Sequence, residues 1–212
     1  MKVKLQINII NPLVEIIASL QKNNMNINEP KDLREFVFKI LILGNAAVGK
    51  TSLINRFCEG AFQEDYKPTL GANIIRKDVD IQGSGSIVKV RLILWDLAGQ
   101  EKYSVVRSMY FSGVEGVLLI YDLTRYNTFD SISSKWMKDF KKYVRKESVF
   151  ILIGNKCDLN DQRVVPTERG KELAKEIRAS HFIETSAKLG ENIEEAFLTL
   201  VKQILNNHEV IL

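Results

Sequence analysis

Cysteine and histidine are scarce in this sequence, with two of each among 212 residues. Cys58 and Cys157 lie far apart, and neither has a metal-ligand partner nearby in the sequence. We therefore expect free thiols in a reducing compartment rather than a disulfide or a zinc site. The formal net charge of +4 is small and dispersed, which argues against nucleic acid as a partner.

Long apolar runs are also absent, since none approaches the roughly 20 residues that cross a bilayer. Residues 1–8 lack the continuous hydrophobic segment of a secretory signal, and Lys2 is incompatible with N-myristoylation. Residues 206–212 contain no cysteine for prenylation, so we expect no lipid anchor in this sequence. These features predict a cytoplasmic protein and leave peripheral contact with a membrane open.

Strand patterns and amphipathic helical patterns alternate along most of the chain, whose apolar content of 45% supports a full core. The alternation predicts an α/β fold with a six-stranded, mostly parallel sheet, helices on both faces and one antiparallel hairpin edge. In such sheets ligands bind beyond the carboxyl ends of the strands. We predict strands at 36–43, 73–82, 87–95, 116–122, 149–154 and 181–185, and helices at 50–58, 100–112, 128–146, 167–179 and 191–205.

Residues 44–52 form a glycine-bounded loop between the first strand and the first helix. This order, ending in Lys50 and Thr51, predicts a phosphate-binding P-loop. Gly44 and Gly49 allow the backbone N–H groups to curl around phosphate oxygens, and the helix N-terminus adds further donors. Lys50 would contact the β- and γ-phosphates, and the Thr51 hydroxyl would bind Mg²⁺. The remaining predicted nucleotide contacts in the loop are Ala46, Ala47, Val48 and Ser52.

Residues after the third strand predict the hydrolytic part of the site. Asp96 ends a buried strand, where a carboxylate is costly unless a cation meets it, so we expect it to hold Mg²⁺ through water. Gly99 would offer its N–H to the γ-phosphate, and Gln100 would orient the attacking water. Thr69, in the polar loop 62–71, would bind Mg²⁺ and the γ-phosphate. The alternatives are a helix-capping Asp96, a surface Gln100 and an ordinary connecting loop.

Two further strand ends predict the base that is bound. Asn155, Lys156 and Asp158 follow the fifth strand. A carboxylate only accepts hydrogen bonds, so Asp158 suits the two adjacent donors of guanine, which adenine lacks. The last strand leads into Ser186, Ala187 and Lys188, and the Ala187 N–H would donate to the guanine carbonyl. Each tetrapeptide is weak alone, but both at consecutive parallel strands after a P-loop favour guanine strongly.

With these motifs, residues 36–205 resemble a small GTPase of the Ras superfamily and are most similar to the Rab branch. Residues 94–101 and 121–124 carry the closest local likeness. The resemblance implies the Ras-like P-loop NTPase fold, Phe62 against the guanine, Tyr66 over the γ-phosphate and Gln100 as the catalytic glutamine, with Lys50 and Thr69 assisting. Ala46 and Ala47 depart from the family pattern, because relatives often have Ser or Gly there.

We accordingly divide the chain into an N-terminal extension (1–35), a GTPase domain (36–205) and a short tail (206–212). Residues 1–35 have the pattern of a strand followed by a short helix, either an accessory element, packed or partly disordered, or a partner-binding element. The expected protein is a monomeric switch that hydrolyses GTP to GDP slowly with Mg²⁺. Its expected partners are an exchange factor, a GTPase-activating protein and effectors. The alternatives are a non-hydrolysing nucleotide-dependent scaffold, dimerisation through the extension, and a P-loop ATPase.

Overall fold

The computed structural model describes residues 35–62, 69, 71–83, 87–97, 110–144 and 148–210. Over these residues, six strands form one sheet in the order β2-β3-β1-β4-β5-β6. The strands are β1 (Glu35–Leu43), β2 (Ala72–Gln82), β3 (Ile87–Leu97), β4 (Gly116–Asp122), β5 (Val149–Asn155) and β6 (His181–Thr185). Strand β2 pairs antiparallel with β3 at one edge, and the other four pairings are parallel. The predicted fold class is confirmed.

The helices lie between the strands as the alternation predicts. They are α1 (Lys50–Glu59), α2 (Tyr126–Ser131), a π-helical turn (Ile132–Trp136), α3 (Met137–Tyr143), α4 (Thr167–Ile177) and α5 (Ile193–Asn207), with a 3₁₀ turn at Asn160–Gln162. In the described part of the chain, no helix combines the length and the apolar character that a membrane span requires.

The sheet separates two hydrophobic clusters, because successive strand residues point to opposite faces. Ile40 and Ile42 of β1 join the cluster that contains residues of α1 and α5. Leu41 and Leu43 join the cluster that contains residues of α2, the π-helical turn, α3 and α4. Burial on both faces explains why β4 reads as a continuous apolar run, with all of its residues buried.

Helix boundaries differ from the predictions by a few residues, and one helix differs in kind. The helix predicted at 128–146 begins at Tyr126, and a π-helical turn at Ile132–Trp136 interrupts it. Ser131 and Trp136 both contact Asn45 of the P-loop. The segment that contains the π-helical turn therefore holds this P-loop residue through two side chains.

Other predicted boundaries shift for local reasons. Arg178 adopts a left-handed conformation at φ 61° and ends α4 at Ile177, two residues earlier than predicted. Helix α5 begins at Ile193 rather than 191, because Glu191 forms a bridge with Ser186. Of the helix predicted at 100–112, residues 100–109 lie outside the described residues, as does most of the predicted extension, residues 1–34.

Candidate nucleotide-binding site

Five strands deliver polar groups to the same edge of the sheet. The P-loop (residues 44–49) follows β1, Asp96 lies near the end of β3, and Asp122 ends β4. Asn155 ends β5 and Thr185 ends β6. Asp96, Asp122, Asn155 and Thr185 are all buried, and buried polar groups require partners. Their partners define the site.

Glycine is required at both ends of the P-loop. Gly44 has φ +153°, and a Cβ there would lie 2.2 Å from the Ile120 carbonyl oxygen. Gly49 has φ +98°, and a Cβ there would lie 2.2 Å from Asn155 Nδ2. Both positions combine a backbone conformation that favours glycine with a close approach of neighbouring groups.

Lys50 lies at the first turn of α1 with its side chain buried. Its ammonium donates to the carbonyl oxygens of Gly44 and Asn45, both at 2.9 Å. Burial lowers the pKa of Lys50 to about 8, while the nearby carboxylate of Asp96 acts in the opposite direction. A desolvated cation beside a glycine-bounded loop suits a phosphate group.

Three side-chain oxygens converge beside the P-loop. Thr51 Oγ1 donates to Asp96 Oδ2 at 2.5 Å and lies 2.9 Å from Thr69 Oγ1. Thr69 Oγ1 also approaches Asp96 Oδ2 at 3.4 Å. Asp96 Oδ1 is buried without a hydrogen-bond partner among the described residues. Burial raises the pKa of Asp96, and the hydrogen bond from Thr51 and the charge of Lys50 oppose this only in part.

This oxygen cluster fits Mg²⁺, which prefers hard oxygen ligands and is usually bound by one or two protein groups plus phosphates and water. The unpaired oxygen of Asp96 and the two hydroxyls are the protein groups available. Among the described residues, no group of three or more His, Cys, Asp or Glu side chains could hold a metal.

Asn155 connects the segments that are predicted to bind the base to the P-loop. Its Nδ2 donates to the Val48 carbonyl at 2.8 Å. Its Oδ1 accepts from Thr185 Oγ1 at 3.0 Å and from the Ala187 N–H at 3.3 Å. Ser186 Oγ donates to Asp158 Oδ1 at 2.6 Å, which joins the two segments a second time. The buried Asn155 amide thus links the P-loop to the segment after β6.

Two cationic side chains lie at the segments that are predicted to bind the base. Lys156 has a left-handed backbone, φ 72°, and its ammonium lies 2.7 Å from Asp122 Oδ2. Arg56 of α1 donates to the Ala187 carbonyl at 3.0 Å and also to the Lys188 carbonyl. The Arg56 guanidinium lies 6.0 Å from the centre of the Phe62 ring, which places half-buried Phe62 beside this loop.

A sequence model of the Ras family matches residues 39–206. The chain belongs to the Ras family. Ras-related protein Rab-10 of Diplobatis ommata is 38% identical over 180 residues, covering 85% of this chain and 87% of that protein. Ras-related protein Rab11D of Nicotiana tabacum is 41% identical over 172 residues (81% and 75%), and Ras-related protein Rab-8B of Homo sapiens is 37% identical over 171 residues (81% and 80%).

These matches confirm the predicted resemblance, so the chain is a Rab-like small GTPase and a GTP-binding switch. Family membership implies GTP and GDP as ligands, and regulators and effectors as the general class of partner. Cys58 and Cys157 are both free. The division into an extension, a GTPase domain and a tail stays a prediction.

The structure brings most predicted site residues of this Ras-family protein to one edge of the sheet. Ser52 lies in the first turn of α1, and Ala46, Ala47 and Val48 lie in the P-loop. Tyr66, Gly99 and Gln100 lie outside the described residues, so their roles stay predictions.

Sequence reasoning missed several residues that the structure places at the site. Asp122 binds Lys156, Arg125 contacts the P-loop, Arg56 binds the loop after β6, and Trp136 binds Asn45. The sequence pattern could have identified Asp122, because a carboxylate that ends a wholly apolar strand needs a cation. The contacts of Arg125, Arg56 and Trp136 connect segments that are distant in sequence, and no local sequence pattern predicts them.

Proposed function

We propose that this Rab-like protein binds GTP with Mg²⁺, hydrolyses it slowly, and couples hydrolysis to the order of the loop that carries Thr69. The convergence of the Thr51, Thr69 and Asp96 oxygens beside the P-loop carries this proposal. It supports a role for the loop before β2 in metal and γ-phosphate binding. Loss of the γ-phosphate would remove contacts that hold this loop, which is how such switches change partners.

Each of these protein groups has its own role in phosphoryl transfer. Thr51, Thr69 and, through water, Asp96 would hold Mg²⁺, which when bound neutralises charge on the phosphate oxygens. Lys50 stabilises the negative charge that develops as the γ-phosphate is transferred. Gln100 and the Thr69 carbonyl orient the attacking water. Asp158 and the Ala187 N–H hold the guanine, with Phe62 at its edge.

Intrinsic hydrolysis is expected to be slow, because Arg76 and Arg125, among the described residues, already bind protein groups. Arg125 donates to Asp122 and to the Ala46 carbonyl, and Arg76 pairs with Asp78 on an exposed part of β2. An arginine supplied by a GTPase-activating protein would raise the rate by roughly 10³–10⁵.

The test is a measurement of phosphate release from GTP under single- and multiple-turnover conditions. Gln100→Leu is expected to leave GTP affinity nearly unchanged and to suppress hydrolysis, because the side-chain amide acts only on the water. Gln162→Leu, in the exposed 3₁₀ turn, is the matched control and should hydrolyse GTP like the wild type. Equal loss of binding and hydrolysis in Gln100→Leu would contradict the assignment.

The same assay separates the switch from a scaffold that acts through residues 1–35. A scaffold would bind GTP without releasing phosphate over many hours, whereas the proposed switch completes at least one turnover. Rapid turnover by the isolated protein, many times per second, would contradict regulation by partners. We expect a monomer, which sedimentation of the GDP-bound protein would show.

A further inference from the structure

The P-loop holds a strained residue at the centre of its curve. Ala47 has φ +59°, a left-handed conformation that a residue with a Cβ rarely adopts. Glycine would adopt it freely, but alanine adopts it only when the surrounding structure enforces it. Something in the structure must therefore hold the peptide next to Ala47 in place.

Arg125 contacts the peptide that precedes Ala47. Its Nη2 donates to the Ala46 carbonyl oxygen at 3.1 Å, across 79 residues of sequence. Its Nε donates to Asp122 Oδ2 at 2.8 Å. Two bonds from one planar guanidinium, to a carboxylate and a carbonyl, fix both the position and the direction of the group.

Asp122 holds the Arg125 guanidinium in place and is itself held by several donors. The carboxylate is fully buried, and its Oδ1 accepts from the N–H and the hydroxyl of Thr124 at 2.9 and 2.7 Å. Its Oδ2 also lies 2.7 Å from the Lys156 ammonium. These donors lower the pKa of Asp122 against the effect of burial, so the carboxylate stays ionised.

Because a trans peptide is planar, the bond from Arg125 to the Ala46 carbonyl sets the orientation of the whole Ala46–Ala47 peptide. The Ala46 carbonyl and the Ala47 N–H belong to one planar unit and point in opposite directions. Because Arg125 binds the carbonyl, the Ala47 N–H is directed away from Arg125. Without this bond, the peptide could rotate and relieve the strain at Ala47.

We propose that Arg125 is a positioning residue that locks the Ala46–Ala47 peptide with the Ala47 N–H directed at the nucleotide phosphates. The inference deepens the proposed function and rests on phosphate binding by this loop. Through Asp122, the same arginine joins the P-loop to Lys156 in the base-recognition segment. Loss of Arg125 is therefore expected to weaken the binding of the nucleotide phosphates without unfolding the protein.

The experiment measures the release of a fluorescent GDP analogue from the full-length protein with Mg²⁺. Arg125→Met is expected to accelerate release about tenfold, the usual effect of one hydrogen bond from a charged donor. Arg125→Lys keeps the positive charge but not the planar guanidinium that makes two directed hydrogen bonds. Its release rate should therefore lie between those of Arg125→Met and the wild type. Arg91→Met, which removes a similarly exposed arginine that bridges Asp78 and Glu35, is the control and should release the analogue like the wild type.

A double-mutant cycle with Ala47→Gly separates positioning from simple charge attraction. Glycine adopts the left-handed conformation without strain, so Arg125→Met should accelerate release less than about threefold in the Ala47→Gly background. Equal acceleration in both backgrounds, or full rescue by Arg125→Lys, would show a pure charge effect and overturn the proposal. No change in Arg125→Met, or an equal change in Arg91→Met, would also overturn it.

The controls keep this inference apart from the proposed function. If the wild type fails to bind the GDP analogue, the proposed function fails, and the positioning role of Arg125, which rests on it, fails as well. If the wild type binds and the Arg125 variants behave like it, only the positioning role fails. Should Arg125→Met not fold, Arg125→Lys alone and with Ala47→Gly decides the same question.

Discussion

Asp158, at the residue scale, keeps hydrogen-bond acceptor sites that the described protein groups do not use. Asp158 accepts one hydrogen bond from Ser186 at Oδ1, which leaves carboxylate acceptors for a ligand. Guanine offers two adjacent donors to such a group, and adenine offers none. A site that hydrogen-bonds one ligand rejects an analogue that lacks the matching groups, because its own polar atoms stay unpaired.

Asp158→Asn is expected to weaken GDP binding and to favour xanthosine diphosphate. The new amide can donate to the 2-oxygen of xanthine, whereas it repels one donor of guanine. Competition between the two nucleotides for the variant measures the switch. Asp161→Asn, an exposed change nearby, should keep the preference for guanine. An unchanged preference in Asp158→Asn would refute the base assignment.

Lys50 gives the site a dependence on pH. Burial lowers its pKa to about 8 in the protein without ligand, and a bound phosphate would raise it. Above that value binding takes up a proton, so GDP affinity is expected to fall by up to about tenfold per pH unit. Below about pH 7, Lys50 is charged in both states, so its titration should change the affinity little.

The matched control for this profile is Lys39→Arg. Burial also lowers the pKa of Lys39 to about 8, but its ammonium lies over the Trp95 ring, 4.2 Å from the centre. The substitution removes that titration and keeps the charge, so the decline above pH 8 should persist. A profile that stays flat, or one that becomes flat in Lys39→Arg, would contradict the role of Lys50.

Among single residues, the sequence is informative where a motif is local. Lys50, Thr51 and Asp158 stand at fixed offsets from strand ends, so their placement could be predicted. Arg125 could not be predicted, because its carbonyl partner lies 79 residues away and any arginine on that turn would look solvated. The strain at Ala47 was equally hidden, since the motif specifies chemistry and not the φ angle.

At the scale of elements, loops at the site are held from outside by neighbouring strands and helices. Asn155 of β5 binds the P-loop and the segment after β6, while Ser131 and Trp136 of the α2–α3 run bind Asn45. The rigidity of the site therefore comes from the packed helices and sheet around it. The π-helical turn is part of this support, and helical periodicity alone gave no sign of it.

Asn155→Ala is expected to lower the free energy of unfolding by about 1–3 kcal/mol, because it leaves the buried Val48 carbonyl and the buried Thr185 hydroxyl without this partner. GDP release should accelerate in the same variant. Chemical denaturation with saturating GDP measures the stability, and fluorescence measures release. Asn160→Ala, at an exposed position, should match the wild type in both measurements. Unchanged stability in Asn155→Ala would contradict the linking role of this amide.

At the scale of the whole molecule, the sheet order places the P-loop at the centre. Strand β1 lies between β3 and β4, so the chain crosses from one half of the sheet to the other beside its carboxyl end. Such a reversal of strand order creates the crevice in which α/β sheets bind ligands. The alternation of strands and helices predicted this architecture, because parallel neighbours need helical crossovers.

The boundary of the domain could not be decided in the same way. Residues 1–34 lie outside the described residues, and a lone strand pattern does not specify which edge it would pair with. The family match over 39–206 supports the nucleotide-binding unit and leaves the role of the extension a prediction.

The most direct test of the account is competition for a bound fluorescent GDP analogue by GTP, GDP and ATP with magnesium present. Five separate segments meet at one edge of the sheet, so we predict that GTP and GDP displace the analogue at similar concentrations. ATP should require a concentration higher by about 10⁴ or more, since adenine offers no donors to the Asp158 carboxylate. Displacement by ATP as effectively as by GTP, or no binding of the analogue at all, would contradict the account.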